Sequence, residues 1–141
     1  MKSVYFAHPY DMRNSEIKKQ IVKILSKRYT VVDPFVTEPG DYYKIPSINL
    51  AHEIINKDFN LLLSCDEYFG WFPKGVTSIG TAIEMMWAYM LEKPVSTMSH
   101  RPNPFLLVHS DKFYSSLDEL ETDTPTCMKL RSEKITHETK D

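Results

Sequence analysis

The sequence predicts an α/β fold with a central, mainly parallel sheet of five strands and helices on both of its faces. Short apolar runs typical of buried strands alternate along the chain with longer segments whose apolar residues recur at helical spacing. Prolines, glycines and helix-capping residues separate these segments. Such alternation favours parallel strands joined by crossover helices, which is a three-layer sandwich of the Rossmann-like or flavodoxin-like kind. In these sheets ligands bind at the carboxyl ends of the strands.

The first third of the chain predicts two strands, one helix and a long loop. The apolar run from Lys2 to Ala7 predicts the first strand, and the proline that follows places residues 8–11 in a loop. Asn14 and Ser15 can cap the first helix. Its predicted inward residues are Ile17, Ile21, Ile24 and Leu25. Residues 30–33 predict the second strand, and residues 35–46 predict a long loop of a kind that often carries function.

The second and third helices lie on either side of the third strand in the sequence. Ser47 can cap the second helix. Its predicted inward stripe is Ile48, Ala51, Ile55, Phe59 and Leu62, with Asp58 at the edge. The aromatic run of residues 68–72 predicts a central strand. Ser78 can cap the third helix, for which the pattern predicts a second inward stripe. That stripe is Ile79, Ile83, Met86 and Met90.

The last third of the chain completes the sheet. Residues 94–98 predict the fourth strand, and residues 103–108 predict a short helix with proline at its first position. Residues 112–115 predict the fifth strand. With 141 residues the chain has the size of one domain, which we assign to residues 1–121. Residues 122–141 have little to bury and are expected to form a polar tail.

Composition argues against several classes of function. The chain is 42% hydrophobic and 26% charged with a formal net charge of −2, so a nucleic-acid polymer is not an expected partner. Its apolar runs are far shorter than the roughly 20 residues of a membrane span, and no targeting segment is recognisable. Two cysteines without disulfide or metal-ligand spacing favour a cytoplasmic protein, for which we expect neither metal nor cofactor.

The segment from Ser78 to Glu84 is the strongest candidate for chemistry. It joins a loop to a helix and puts Gly80 and Glu84 one turn apart on the same face, so that no side chain blocks a ligand from the carboxylate. The positive end of the helix macrodipole is expected to keep Glu84 ionised and able to attack an anomeric carbon. The same pattern also fits a capped core helix with one exposed glutamate, and spacing alone does not choose between the two.

This segment and several other positions together resemble the nucleoside 2-deoxyribosyltransferases. The other positions are Tyr5-Phe6-Ala7, Asp58, Asp66, Ala88 and Lys93-Pro94-Val95, so the resemblance spans roughly residues 3–98. It implies that Glu84 is a nucleophile that holds a covalent deoxyribosyl intermediate, that Tyr5 orients Glu84, and that Asp58 contacts the base and assists its departure. Without the resemblance, Asp58 also fits a solvent-facing acid paired with a lysine, and Tyr5 also fits a packed core residue.

Ser78 departs from the pattern of the transferases that act on free nucleosides, which carry aspartate at this place. The related deoxynucleoside 5′-monophosphate N-glycosidases carry serine. A serine at a helix N-terminus suits a phosphate, which a carboxylate would repel. The resemblance as a whole implies transfer of the sugar to another base. Ser78 makes hydrolysis of a nucleoside 5′-monophosphate the alternative. A nucleotide-binding module without turnover, or a structural oligomer, is the alternative of another class.

Four further residues are candidates for substrate binding. Tyr10 can stack on a base and His8 can hydrogen-bond to substrate, although both also fit structural roles in a loop. The resemblance puts residues 110–112 beside the site of a neighbouring subunit, where Ser110 or Lys112 can bind phosphate; a solvated lysine fits the same position. It thus implies a homodimer or larger homo-oligomer with shared sites.

Overall fold

The structure is a computed structural model that describes residues 1–37 and 47–129. Its six strands are β1 (Ser3–Ala7), β2 (Thr30–Val32), β3 (Glu67–Phe72), β4 (Val95–Ser99), β5 (Lys112–Tyr114) and β6 (Cys127–Met128). They form one sheet in the order β2-β1-β3-β4-β5-β6. The first five pair in parallel, and only β6 is antiparallel to its neighbour. The predicted α/β fold is confirmed, and the order of the parallel strands is that of the flavodoxin-like sandwich.

Five α-helices connect or follow the strands in the described part of the chain. They are α1 (Glu16–Leu25), α2 (Ile48–Ser64), α3 (Ile79–Met90), α4 (Pro104–His109) and α5 (Leu117–Thr122). Ser15, Ser47 and Ser78 cap the first three, each accepting a hydrogen bond from a backbone amide of the first turn. Two short 3₁₀ turns, Tyr10–Met12 and Pro34–Thr37, follow β1 and β2. No described helix has the length and apolar character needed to cross a membrane.

Residues within 122–129, which were assigned to a polar tail, take part in regular secondary structure. Helix α5 crosses the predicted domain boundary after residue 121, and β6 adds a sixth strand by pairing with β5. A backbone hydrogen bond from Lys129 to Asp111 extends this pairing. Polar composition therefore did not prevent residues 127–128 from joining a sheet edge. The rest of the predicted tail, residues 130–141, and residues 38–46 of the predicted long loop lie outside the described residues.

Strand β1 divides the interior into two clusters because its side chains point alternately to opposite faces of the sheet. Val4 and Phe6 pack with the residues of α1 and α5, on what we name the α1 face. Tyr5 and Ala7 pack with residues of α2, α3 and α4, on what we name the α3 face. Every candidate that the resemblance assigns to chemistry belongs to the α3 face or to its rim.

The predicted inward stripe is correct for α1 except at Ile17, is confirmed in α2 only at Leu62, and is wrong for α3. In α1 the buried residues are Ile21, Ile24 and Leu25, with Ile17 at the exposed edge. In α2 the buried face is Ile54, Asp58 and Leu62, whereas Ile48 and Ile55 are exposed. In α3 the buried face is Thr81, Met85 and Ala88, and all four predicted inward residues are exposed. Both helices thus turn apolar residues away from the sheet.

Candidate active site

A cavity of about 420 Å³ lies on the α3 face, at the carboxyl ends of the parallel strands. One wall consists of residues that directly follow β1 and β2, among them His8, Tyr10 and Phe35. The opposite wall comes from α2, from the loop before α3 and from the first two turns of α3. The volume is within the range of small-molecule sites, and the position is the one that parallel α/β sheets use for ligands.

Glu84 lines this cavity from α3 and is held by Tyr5. The phenol of Tyr5, which is fully buried on β1, donates a short hydrogen bond to Oε2 of Glu84. Burial raises the pKa of the Glu84 carboxyl to about 8. This direction is opposite to the one expected from the helix macrodipole. The free-energy cost of removing a carboxylate from water exceeds the stabilisation that a helix N-terminus provides.

Gly80 leaves one oxygen of Glu84 accessible. A Cβ atom added at Gly80 would meet only Oε1 of Glu84, at 4.0 Å. Because Tyr5 binds Oε2, the two oxygens of the carboxyl group have different surroundings. Oε1 is open toward the cavity, whereas Oε2 is bound to the sheet through Tyr5. This arrangement suits a nucleophile of fixed orientation.

In the described part of the chain, the loop before α3 and the first turn of α3 form an end of the cavity to which they bring no negative charge. Ser78 accepts a hydrogen bond from the Thr81 amide at 3.2 Å and shares a short one with the Thr81 hydroxyl. Between residues 73 and 81 the only charged side chain is that of Lys74. Helix N-termini present backbone amides and positive potential, so this end of the cavity is compatible with an anionic group.

Asp58 lines the same cavity from α2, where it is only 6% exposed. The ammonium group of Lys57 lies 3.6 Å from Oδ1 of Asp58 and donates a hydrogen bond to the Pro34 carbonyl at 3.1 Å. Asp58 is thus paired with one of the lysines expected for a solvent-facing acid, but it faces the cavity instead of solvent. The structure brings Asp58, Tyr5 and Glu84 together at one site.

Three aromatic side chains contribute to the cavity walls. Tyr10 packs edge-to-face on Phe35 with ring centroids 5.4 Å apart, and the Arg13 guanidinium lies 3.7 Å above the centre of the Tyr10 ring. Trp87 packs edge-to-face on Phe59 at 5.2 Å. The sequence predicted Tyr10 but neither Phe35 nor Trp87. The sequence could have identified Trp87 as a cavity residue, because it follows Glu84 by three residues and therefore shares its face of the helix.

His8 lines the cavity, but its ring nitrogens bind protein atoms. Nδ1 lies 3.1 Å from the Pro9 carbonyl oxygen and Nε2 lies 3.0 Å from Oδ1 of Asp33. Lys18 pairs with the other Asp33 oxygen at 2.7 Å. Burial alone would raise the pKa of Asp33, but hydrogen bonds from His8, Lys18 and the Phe35 amide lower it to about 2. Both ring nitrogens thus have protein partners, which fits the structural role that the sequence also allowed, and a hydrogen bond from His8 to substrate stays a prediction.

Ser110 and Lys112 do not line the cavity of their own chain. The Ser110 hydroxyl is buried, donates to the Leu106 carbonyl and shares a 2.6 Å hydrogen bond with Thr97. Lys112 pairs with Asp123 at 3.4 Å. Burial of its hydroxyl removes Ser110 as a surface contact for another subunit, whereas the role of Lys112 beside a neighbouring site stays a prediction.

Comparison with known proteins supports the fold. No protein-family model matches the sequence, and no curated protein is significantly similar to it. The 2-deoxyribosyltransferase of the psychrotolerant bacterium Bacillus psychrosaccharolyticus matches with a TM-score of 0.67 and 22% identity, over 84% of this chain and 90% of that chain. The CMP N-glycosidase of Clostridium botulinum matches with a TM-score of 0.54 and 20% identity, over 86% of this chain and 96% of that one. The chain therefore has the fold that the resemblance implied.

Proposed function

We propose that this protein is an enzyme that cleaves the N-glycosidic bond of a nucleoside or deoxynucleoside and transfers the sugar to another base. The observation that carries the proposal is the hydrogen bond from Tyr5 to Glu84 at the wall of a cavity that Asp58 also lines. The shared fold with a 2-deoxyribosyltransferase supports it. Two carboxyl groups and an orienting phenol are sufficient for the reaction without a metal ion.

In the first step, Oε1 of Glu84 bonds to the anomeric carbon while the bond from that carbon to the base nitrogen breaks. The electron pair of the broken bond leaves with the base, which takes up a proton donated by Asp58. Glu84 must be ionised to attack, and the Tyr5 hydrogen bond keeps its other oxygen in place. The product is a glycosyl ester on Glu84 and a free base.

In the second step, a ring nitrogen of another base attacks the anomeric carbon and Glu84 leaves as a carboxylate. The proton of the incoming nitrogen passes to Asp58, so the site returns to its starting state. Two displacements at the same carbon retain its configuration. The aromatic side chains of Tyr10, Phe35 and Trp87 offer apolar surface against which either base can lie.

One observation favours a second candidate function, hydrolysis of a nucleoside 5′-monophosphate. Among the described residues, the end of the cavity beside Ser78 has no carboxylate and has the N-terminus of α3, so a 5′-phosphate fits there better than it would beside an acid. Water then takes the place of the incoming base, and the ester on Glu84 is hydrolysed. The shared fold with a CMP N-glycosidase supports this candidate.

Base release from a matched set of substrates separates these functions. The common nucleosides, deoxynucleosides and their 5′-monophosphates are incubated with the protein, each with and without a free acceptor base. A transferase forms a new nucleoside only when the acceptor is present. A nucleotide hydrolase releases base from monophosphates alone and is indifferent to the acceptor. Binding of a nucleotide with no base release under any of these conditions would contradict both enzymatic functions and favour a binding module.

We also propose that the protein forms a homodimer or a larger homo-oligomer through α3. Its exposed apolar residues recur along one side of the helix and are exposed by 73%, 46%, 37% and 73% at Ile79, Ile83, Met86 and Met90. The only charged residue of α3, Glu84, is on the cavity wall. A continuous apolar stripe of this kind is typical of an interaction surface.

Sedimentation of two charge variants tests this assembly. Met90→Glu places a charge on the stripe and is expected to convert an oligomer into a monomer, whereas Met128→Glu changes an equally exposed methionine on β6 and serves as the control. A parent protein that sediments as a monomer at high concentration would refute the proposal.

A further inference from the structure

Tyr68 is a second buried tyrosine directly beside Tyr5. The two residues are partners in the parallel pairing of β1 and β3, and both point to the α3 face. Their rings lie nearly parallel, at an interplanar angle of 14° and a centroid separation of 6.3 Å. Tyr68 does not line the cavity, so it cannot contact a ligand there.

The hydroxyl of Tyr68 binds the same turn of α3 that carries Glu84. It donates a buried hydrogen bond to the Thr81 carbonyl oxygen at 2.7 Å, three residues before Glu84. Tyr5 donates to the Glu84 carboxyl itself. Two neighbouring phenols thus hold one helical turn, the first through the backbone and the second through the nucleophilic side chain.

Gly70 makes this arrangement possible. It lies two residues after Tyr68 on β3 and therefore on the same face of the sheet. A Cβ atom at Gly70 would come within 2.5 Å of the Tyr68 hydroxyl and 2.9 Å of two of its ring carbons. The Tyr68 ring thus lies across the backbone of Gly70, and any larger residue there would displace it from Thr81.

We infer that Tyr68 is a positioning residue, which fixes the first turns of α3 so that Glu84 meets both Tyr5 and the anomeric carbon. The inference rests on the proposed role of Glu84 as the nucleophile. A small shift of this turn changes the approach of the carboxylate to the anomeric carbon, to which the rate is more sensitive than substrate binding is. Misplacement of a reacting group by about 1 Å can cost about 100-fold in rate.

The test compares Tyr68→Phe with Tyr114→Phe. Tyr114 is an equally buried tyrosine whose hydroxyl binds Asp123 on the other side of the sheet, so its variant controls for the loss of a buried phenol. We expect Tyr68→Phe to lower kcat for base release by about 10-fold to 100-fold with little change in KM. We expect Tyr114→Phe to leave both constants unchanged. Equal kcat values for these two variants would overturn the inference.

A double-mutant cycle tests whether Tyr68 acts through the Tyr5–Glu84 pair. If it does, the loss in kcat for Tyr5→Phe combined with Tyr68→Phe is smaller than the product of the two separate losses. Fully multiplicative losses would mean that the two phenols act independently, and the inference would be wrong.

A measurement without turnover separates this inference from the proposed function. If the parent releases no base from any substrate, the proposed function fails, but the titration of Glu84 can still be followed by carbon-13 NMR of its carboxyl group. We expect Tyr68→Phe to raise the Glu84 midpoint by about half a pH unit or more, because a weakened hydrogen bond from Tyr5 stabilises the carboxylate less. An unchanged midpoint would contradict the positioning role even in an inactive protein.

Discussion

The two faces of the sheet are packed by helices of different character. On the α1 face, Ile21, Ile24 and Leu25 of α1 fill the space against β1 and β3. On the α3 face, α3 turns Thr81, Met85 and Ala88 toward the sheet, and two of these three side chains are small. Its isoleucines and its other methionines are exposed or line the cavity. Small inward residues allow a close approach, which brings the Glu84 carboxyl to the Tyr5 phenol. The comparison indicates that the α1 face serves stability and the α3 face serves the site.

The largest expected effect is on activity and is confined to the α3 face. Glu84→Gln removes the nucleophile while it keeps the size of the side chain, and we expect base release to fall by about 1,000-fold or more. Glu16→Gln, which changes an exposed glutamate in the first turn of α1, is the matched control and should be as active as the parent. Initial rates with the best substrate are the measurement. Comparable rates for both variants would contradict the proposal that the α3 face carries the catalytic site.

The next effect is on stability and distinguishes a buried from an exposed isoleucine. Ile21→Ala on α1 is expected to lower the free energy of unfolding by about 2–5 kcal/mol, because the side chain is fully buried. Ile83→Ala on α3 should cost the monomer less than about 1 kcal/mol but raise KM, because Ile83 is half-exposed in the single chain and lines the cavity. Urea unfolding and steady-state kinetics measure the two quantities. A larger stability loss at Ile83 would reverse the assignment of the faces.

The activity is expected to depend on pH through Glu84. Its pKa is raised to about 8, so the ionised fraction of Glu84 should rise about tenfold per pH unit up to that value, and kcat/KM should rise with it wherever Asp58 keeps its proton. A Glu84 midpoint near its ordinary value of 4.5, followed by carbon-13 NMR of the carboxyl group, would contradict the raised pKa.

The same shift predicts how stability depends on pH. The folded pKa of Glu84 lies above its ordinary value of 4.5, so protonated Glu84 stabilises the fold fully below that pH. The contribution is lost as the pH rises through about 8, by at most about 5 kcal/mol. Unfolding free energies of the parent should therefore fall over this range relative to those of Glu84→Gln. Parallel curves for the two proteins would contradict the raised pKa.

The smallest expected effect compares two serine caps. Ser15 on α1 and Ser78 on α3 each accept a hydrogen bond at 3.2 Å from the amide three residues later. Replacing either by alanine should cost about 1 kcal/mol of stability. Only Ser78→Ala should also raise KM, and it should do so more for a 5′-monophosphate than for the nucleoside. Equal KM changes for both substrates would argue against a phosphate beside Ser78.

Local sequence patterns were sufficient where one physical effect dominates. The alternation of strands and helices predicted the sheet, and the stripe of α1 predicted its buried face, because only apolar burial acts there. Side chains Tyr5, Asp58 and Glu84 were predicted through the resemblance. In the structure Asp58 and Glu84 line one cavity, and Tyr5 binds Glu84 from the sheet. These three residues are far apart in the sequence. Only the fold brings them together, so no local pattern could predict that they meet.

The same patterns failed where apolar residues have a second use. In α3 the stripe of isoleucine and methionine was predicted to face the core, but part of it lines the cavity and the rest is exposed. The partner of His8 also escaped prediction, since Asp33 is contributed by another strand end. Hydrophobic periodicity identifies a helix and its stripe, but it does not reveal whether that stripe meets a sheet, a ligand or another subunit.

The central claim is that Glu84 bonds covalently to the sugar. The most direct measurement is mass spectrometry of the protein quenched during turnover of its best substrate, with digestion to locate the modified peptide. We expect the peptide that contains Glu84 to gain the mass of one glycosyl group, and we expect no gain in Glu84→Gln. Base release at the parental rate by Glu84→Gln, or a sugar adduct on any other residue, would contradict the account.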